Sequence, residues 1–185
     1  MNSNFTVRNT YKGSTIDKYV GTDSEVIIPE GIECIGMNAF EGCIRIKTVI
    51  IPEGVKTISY LAFSGCTSLE KVYIPKSIQS IDHYIFSGVG KQFSIIYSGS
   101  SDDFSKMIKS IINTNSYTDG DYHHPTSSHF SYSEIVTTEY GNVFGDNDYE
   151  SHPFECSVHC LEDDKILVYQ SVSPETTCET KRICY

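Results

Sequence analysis

The chain has 185 residues, 39% of them apolar and 21% charged, and a formal net charge of −10. That composition describes a folding chain rather than a disordered one, and no uninterrupted apolar run approaches the ~20 residues of a membrane helix, so membrane insertion is not expected. Phosphate backbones are gripped by lysine and arginine, so an acidic chain is not expected to take a nucleic-acid partner.

Met1 to Gly13 lacks the apolar core of a secretory signal. Acidic and basic residues balance through Ile112; beyond it only Lys165, Lys181 and Arg182 are basic, so the whole net charge lies there. Polar stretches punctuated by Gly, Pro and Ser begin at the same place. The expected division is a first domain over 1–112 and an acidic C-terminal extension over 113–185. The extension reads as a linker (113–129), a β-hairpin region (130–170) and a loose tail.

Val26-Ile-Ile-Pro29, Val49-Ile-Ile-Pro52 and Val72-Tyr-Ile-Pro75 begin 23 residues apart, and Ile95-Ile-Tyr97 falls on the same register without its proline. Further columns keep the phase: Ile32, Val55 and Ile78; Ile35, Ile58 and Ile81; Phe40, Phe63 and Phe86; Gly42, Gly65 and Gly88. Cys43, Cys66 and Val89 fill another; Ile46 and Leu69 a last one, broken by Gln92. No unit of this length buries its own apolar residues, so each must stack on the next. V-x-I is a short strand whose first and third side chains point inward; proline, without an N–H, ends its ladder. Gly before Cys supplies a tight corner. The expected result is a curved solenoid with one strand face and an irregular, partly helical opposite face.

The phrase from Val49 to Leu69, V-x-I-P-x-x-V-x-x-I-x-x-x-A-F-x-G-C-x-x-L, resembles the BspA-like leucine-rich repeat. Three near-complete copies cover 26 to about 97, departing in the third at Ile85 and Val89. Phe5-Thr-Val-Arg8 and Tyr19-Val-Gly21 are similar to the family's degenerate first rung, and Tyr97-Ser-Gly-Ser100 with Phe104 to its closing segment. The resemblance implies an α/β solenoid: a short leucine-rich-repeat right-handed superhelix with parallel strands on its concave face, a capping helix and a C-terminal β-rich extension. It also implies an adhesion module binding a protein or glycan at the cell surface or in secreted form. The missing signal implies an intracellular one if Met1 is the native start.

Solenoid ends need caps. Phe104, Met107, Ile108, Ile111 and Ile112 form one helical stripe within 101–112. Serine with Asp102 and Asp103 suits the start of that helix, and Lys109 its end. In the extension, Phe130 to Val136 and Phe154 to Cys160 read as strands. Glu162-Asp-Asp164 reads as the turn before Ile166 to Tyr169. Val158-His-Cys160 resembles the strand that closes family members after a long insertion. Residues 130–170 are expected to pack on the solenoid's end or its strand face.

The middle strand position, turned away from the core, holds Ile27, Ile50, Tyr73 and Ile96, flanked by Glu25, Thr48, Lys71 and Ser94. Contiguous apolar surface tends to mean contact. Ile27, Thr48, Ile50, Lys71, Tyr73 and Ile96 are therefore the candidate binding residues. Two alternatives stay open: coverage by the chain's own C-terminal segment, or by a second copy in a homodimer.

The other constellations give way to plainer readings. Cys43 and Cys66 sit in adjacent rungs, about 5 Å apart, as a ladder of small buried thiols or as a disulfide. Cys34 is a plain core or loop residue. His152-Pro-Phe-Glu-Cys156-Ser-Val-His-Cys160 has a strand's alternation, and cysteines four apart on a strand lie roughly 13 Å apart, too far for one zinc or a disulfide. Cys156 and Cys160 could still pair with Cys178 and Cys184 in three ways. Asp146-Asn-Asp148-Tyr-Glu150 lacks the glycine and terminal glutamate of a calcium loop. His123, His124 and His129 lie in a polar linker, and His83 on an outer arc. No nucleophile elbow, phosphate-cradling loop or zinc-protease helix is present. The expectation is a non-enzymatic protein with no catalytic residues, metal or cofactor.

Overall fold

The computed structural model describes residues 4–90, 92–113 and 155–170. Its elements in chain order are β1 (Phe5–Thr10), β2 (Gly13–Tyr19), β3 (Glu25–Ile27), β4 (Cys34–Ile35), β5 (Thr48–Ile50) and β6 (Thr57–Ile58). There follow β7 (Lys71–Ile74), β8 (Ser80–Ile81), β9 (Gln92–Tyr97), helix α1 (Ser101–Asn113), β10 (Glu155–Cys160) and β11 (Lys165–Gln170). They form a β-solenoid of about four turns.

Each repeat sends one strand to each of two sheets. The V-x-I strands stack in parallel with Val26, Val49, Val72 and Ile95 in one register, and all four side chains are buried. Behind them the phenylalanine column makes a stack: ring centroids of Tyr19, Phe40, Phe63 and Phe86 follow one another at 5.3, 5.0 and 5.7 Å. Backbone bonds run alongside, Phe40 N–H to Ala62 O at 2.8 Å and Phe63 N–H to Ile85 O at 2.9 Å. A lone rung would leave all of this in water; stacking is what buries it.

Gly42, Gly65 and Gly88 have φ of 68°, 69° and 65°, left-handed backbone that glycine adopts without penalty. A Cβ on Gly65 would lie 3.5 Å from the Gly42 backbone, an ordinary contact. Backbone conformation, then, is what demands glycine there. The adjacent Cys66 is buried, and its thiol donates to Phe40 O at 3.1 Å.

The face opposite the strands differs from the sequence expectation. Besides irregular turns at 37–42, 60–65 and 83–88 it carries a second sheet, in the order β1-β2-β4-β6-β8, parallel from β2 to β8 and antiparallel between β1 and β2. Its repeat strands are residue pairs ending in Ile35, Ile58 and Ile81. Two residues are too short for a period-2 pattern to show in sequence.

The ends are closed by different elements. The N-terminal segment, similar in sequence to a degenerate rung, is an antiparallel hairpin, β1 with β2, that joins the second sheet through β4. At the other end α1 buries Phe104, Met107 and Ile108. Ser100 caps it: its Oγ accepts from Asp103 N–H at 3.2 Å and donates to the Asp103 carboxylate at 2.8 Å. The helix runs on to Asn113, which leaves Lys109 short of the last turn. Next to α1 the hairpin of β10 and β11 enters the first sheet. β10 lies parallel to β9, giving the order β11-β10-β9-β7-β5-β3. Cys156, Val158 and Cys160 are buried and extend the core columns of Phe93, Ile95 and Tyr97. The expected strand over 130–136, the linker histidines, the acidic turn at 146–150, Cys178 and Cys184 lie outside the described residues.

Candidate functional site

Strand register decides which side chains share the outer face of the six-stranded sheet. Ile27 pairs with Ile50, Ile50 with Tyr73, Tyr73 with Ile96, Ile96 with His159 and His159 with Ile166. One row therefore crosses every strand, about 24 Å long at ~4.8 Å per strand. Ile27, Tyr73 and Ile166 are 59%, 37% and 57% exposed; Ile50, Ile96 and His159 are half-buried. Beside it runs a polar row, Glu25, Thr48, Lys71, Ser94 and Ser157. Glu25 and Lys71 are exposed, and the hydroxyls of Ser94 and Ser157 are 2.9 Å apart.

All six residues singled out from sequence thus stand on one face, the apolar four in a line and Thr48 with Lys71 in the row beside them. The C-terminal hairpin neither covers the row nor avoids it; it lengthens the row edgewise. The sequence reading missed His159 and Ile166, which belong to it by register alone. A signal was there: Cys156, Val158 and Cys160 alternate in phase with Phe93, Ile95 and Tyr97, which leaves Ser157 and His159 facing outward. One place before the row's end, His159 Nε2 lies 2.8 Å from Asp164 Oδ1, which fixes the ring against the β10–β11 turn.

Cys34, Cys43, Cys66, Cys156 and Cys160 are all free thiols. Burial, with a smaller contribution from Cys43, pushes Cys66 up to about 12. Burial also pushes Cys160 up to about 11 and Cys156 well above the ordinary thiol range. A neutral buried thiol is neither a nucleophile nor a metal ligand, so Cys66, Cys156 and Cys160 serve as small apolar side chains. Among the described residues no group of three or more His, Cys, Asp or Glu is placed to hold a metal, and no helix is long and apolar enough to cross a membrane.

Another interaction invisible in sequence holds the face in place. Asp163, in the β10–β11 turn, accepts the N–H of Ser101 at 3.2 Å and its hydroxyl at 2.6 Å, with Lys165 Nζ at 3.3 Å. The Ser101 hydroxyl, helped by its N–H and by Lys165, holds the Asp163 carboxyl below the usual carboxylate range. The turn is thereby tied to the first turn of α1, where a carboxylate also suits the helix dipole.

Solved structures of similar chains are leucine-rich-repeat proteins. TpLRR of T. pallidum is 22% identical with a TM-score of 0.46, covering 55% of this chain and 54% of that one. A Bacteroides ovatus protein is 21% identical with a TM-score of 0.41, covering 53% and 37%. A leucine rich cell surface protein of Faecalibacterium prausnitzii is 23% identical with a TM-score of 0.36, covering 57% and 41%. The chain thus spans about half the length of these proteins or less. No curated protein matches it. The family model described as BspA type leucine rich repeat region (6 copies) matches residues 18–119. Leucine-rich repeats serve in general as protein-interaction modules and are typically non-enzymatic. With its periodic columns, its stacked rungs and more than half its length matched, the chain belongs to the BspA-type leucine-rich-repeat family.

Proposed function

We propose that the chain is a non-enzymatic binding module that recognises its partner through the outer face of the six-stranded sheet, in the manner of an adhesion domain. The observation that carries this reading is the row from Ile27 to Ile166. It sets apolar side chains side by side on a surface that solvated sheets normally fill with polar ones. Full burial of such a side chain contributes roughly 1.5–3 kcal/mol, and the gain is largest at Ile27, Tyr73 and Ile166, the most exposed. A protein fits the row better than a glycan does: four of its positions are aliphatic, and only Tyr73 offers the polar-tipped aromatic ring on which a sugar stacks. Glu25 and Lys71 set orientation at the rim rather than affinity.

Tyr73→Asp tests the reading. Wild type and variant are melted and then presented to an array of matrix proteins, serum proteins and glycans. Binding lost with a nearly unchanged melting temperature supports recognition through the face. A large fall in melting temperature means that the row is internal packing, and sinks it.

A further inference from the structure

We propose that β11 is the edge through which two copies of this chain pair, antiparallel about a two-fold axis at Val168. Leu161 N–H donates to Tyr97 O at 2.9 Å. Ladder groups alternate along a strand, so Ser157 and His159 turn their N–H and C=O groups to β9, while Cys156, Val158 and Cys160 turn theirs to β11. Their register partners there are Tyr169, Leu167 and Lys165. Ile166, Val168 and Gln170 therefore direct their backbone groups away from β10, and β11 is the last strand in the described sheet.

The other three edges of the described sheets carry the devices by which proteins keep edges from pairing. β3 has three residues, bears exposed Glu25 and runs into Pro29. β8 has two residues and lies against α1. β1 is interrupted by an irregularity at Thr6 and Val7 and carries exposed Arg8. Of these devices β11 has only a charge at its first residue. It is six residues long, Lys-Ile-Leu-Val-Tyr-Gln, without proline or register shift. Its one charge, Lys165, is tied to Asp163. Ile166 and Leu161, in the turn before it, are 57% and 53% exposed.

Among the edges of the described sheets β1 matches this one in length but is interrupted at Thr6 and Val7, so the matching uninterrupted edge in a second copy is another β11. Antiparallel pairing on Val168 sets Ile166 opposite Gln170 of the second copy, so the free groups of three residues on each strand meet one another without remainder. The contact is isologous and closes at two copies, whereas β3 is too short to continue a head-to-tail filament. The two-fold axis leaves both outer faces on the same side, joined into one sheet. A ribbon of this size falls short of the roughly 1,200–2,000 Å² of a stable interface, so the dimer is reversible. Two copies of charge −10 repel, so it tightens as salt rises.

The test is sedimentation of the full chain over a micromolar concentration series, at low and physiological salt, with amide exchange along β11. The expected result is a reversible dimer, favoured by salt, in which the amides of Ile166, Val168 and Gln170 gain protection with concentration. Those of Lys165, Leu167 and Tyr169 stay protected throughout. Val168→Pro removes an edge N–H from each copy without touching the β10 ladder, and should weaken pairing by about tenfold or more. The wild-type exchange pattern stands even if that variant misfolds. A monomer with these amides unprotected overturns the proposal, as does a monomer with them already protected, which would mean that the chain's own residues cover the edge. A dimer with no change at these amides overturns it too.

Discussion

At its N-terminal end the solenoid is closed by residues adjacent in sequence to the first rung. β1 and β2 fold back as a hairpin, join the second sheet, and set Phe5 against Tyr19 and Phe40 at 5.2 and 6.4 Å. At its C-terminal end the closure has two parts far apart in the chain: α1 follows the last rung directly, while β10 and β11 come from more than 40 residues downstream and join the first sheet. One end is thus held by aromatic packing, by its ladder to β4 and by hydrogen bonds between residues close in sequence, such as the Tyr19 hydroxyl to Asp23 at 2.9 Å. The other is held by packing plus a polar lock, Asp163 on Ser101, that only forms when the two parts meet. The difference teaches that capping a solenoid is a matter of burying the terminal cross-section, and that the chain need not bury it with its nearest residues. It also makes the ends separately breakable.

The largest expected effect is at Met107, 7% exposed in the face that α1 presents to the last rung. Met107→Asp leaves a buried charge without a partner, at a cost of about 3–5 kcal/mol. It should unfold the repeat domain as a whole, because an uncapped last rung uncovers the next. A melting temperature equal to wild type would show that α1 is not a cap. Phe5→Ala is its counterpart at the other end. Phe5 is half-buried, so the expected cost is smaller, about 1–3 kcal/mol, and local. Amide exchange should quicken in β1 and β2 and stay unchanged in α1. Uniform quickening would erase the distinction between the ends.

How much of each end was legible in sequence follows from the same contrast. The repeat columns could be read because identical surroundings recur every 23 residues and select the same residue types, as in Val26, Val49 and Val72. The stripe of Phe104, Met107 and Ile108 could be read because a helix's period lies within one short stretch. The Thr10–Gly13 turn and the two-residue strands were not, since neither is long enough to set up a period. Ser101 and Asp163 stand 62 residues apart, and nothing local to either marks the pairing. The candidate face divides similarly: its first four apolar positions are repeat columns, whereas His159 and Ile166 join only through the register of β10 on β9.

The polar lock gives the C-terminal end a pH response. The Asp163 carboxyl is held below its ordinary value by Ser101. Its folded pKa is therefore lower than its unfolded one, near 3.9. The stabilisation is present above that unfolded value and is lost as pH falls through the folded one. Below about pH 4, exchange in α1 should quicken relative to β2. Asp163→Asn should quicken α1 exchange already at neutral pH and flatten the acid response. An acid response unchanged in the variant would place its origin elsewhere.

The smallest effect lies between the ends and serves as their control. Asn38, Leu61 and Tyr84 occupy one position in successive rungs, and all have left-handed backbone, with φ of 56°, 53° and 55°. That conformation suits asparagine, whose short side chain tolerates it, and burdens a branched aliphatic residue by about 1 kcal/mol. Leu61→Asn should relieve the strain, but it gives up part of a half-buried side chain and places an amide where the oxygen of Asn38 is buried without a partner. The two losses together outweigh the strain relieved, so the balance is a loss of about 0.5–1 kcal/mol. Because Leu61 lies in a middle rung, the loss should appear as a small fall in the whole transition, with the exchange rates of β2 and α1 quickened by the same factor. Unequal quickening would mean that the middle rung is coupled to one end more than to the other.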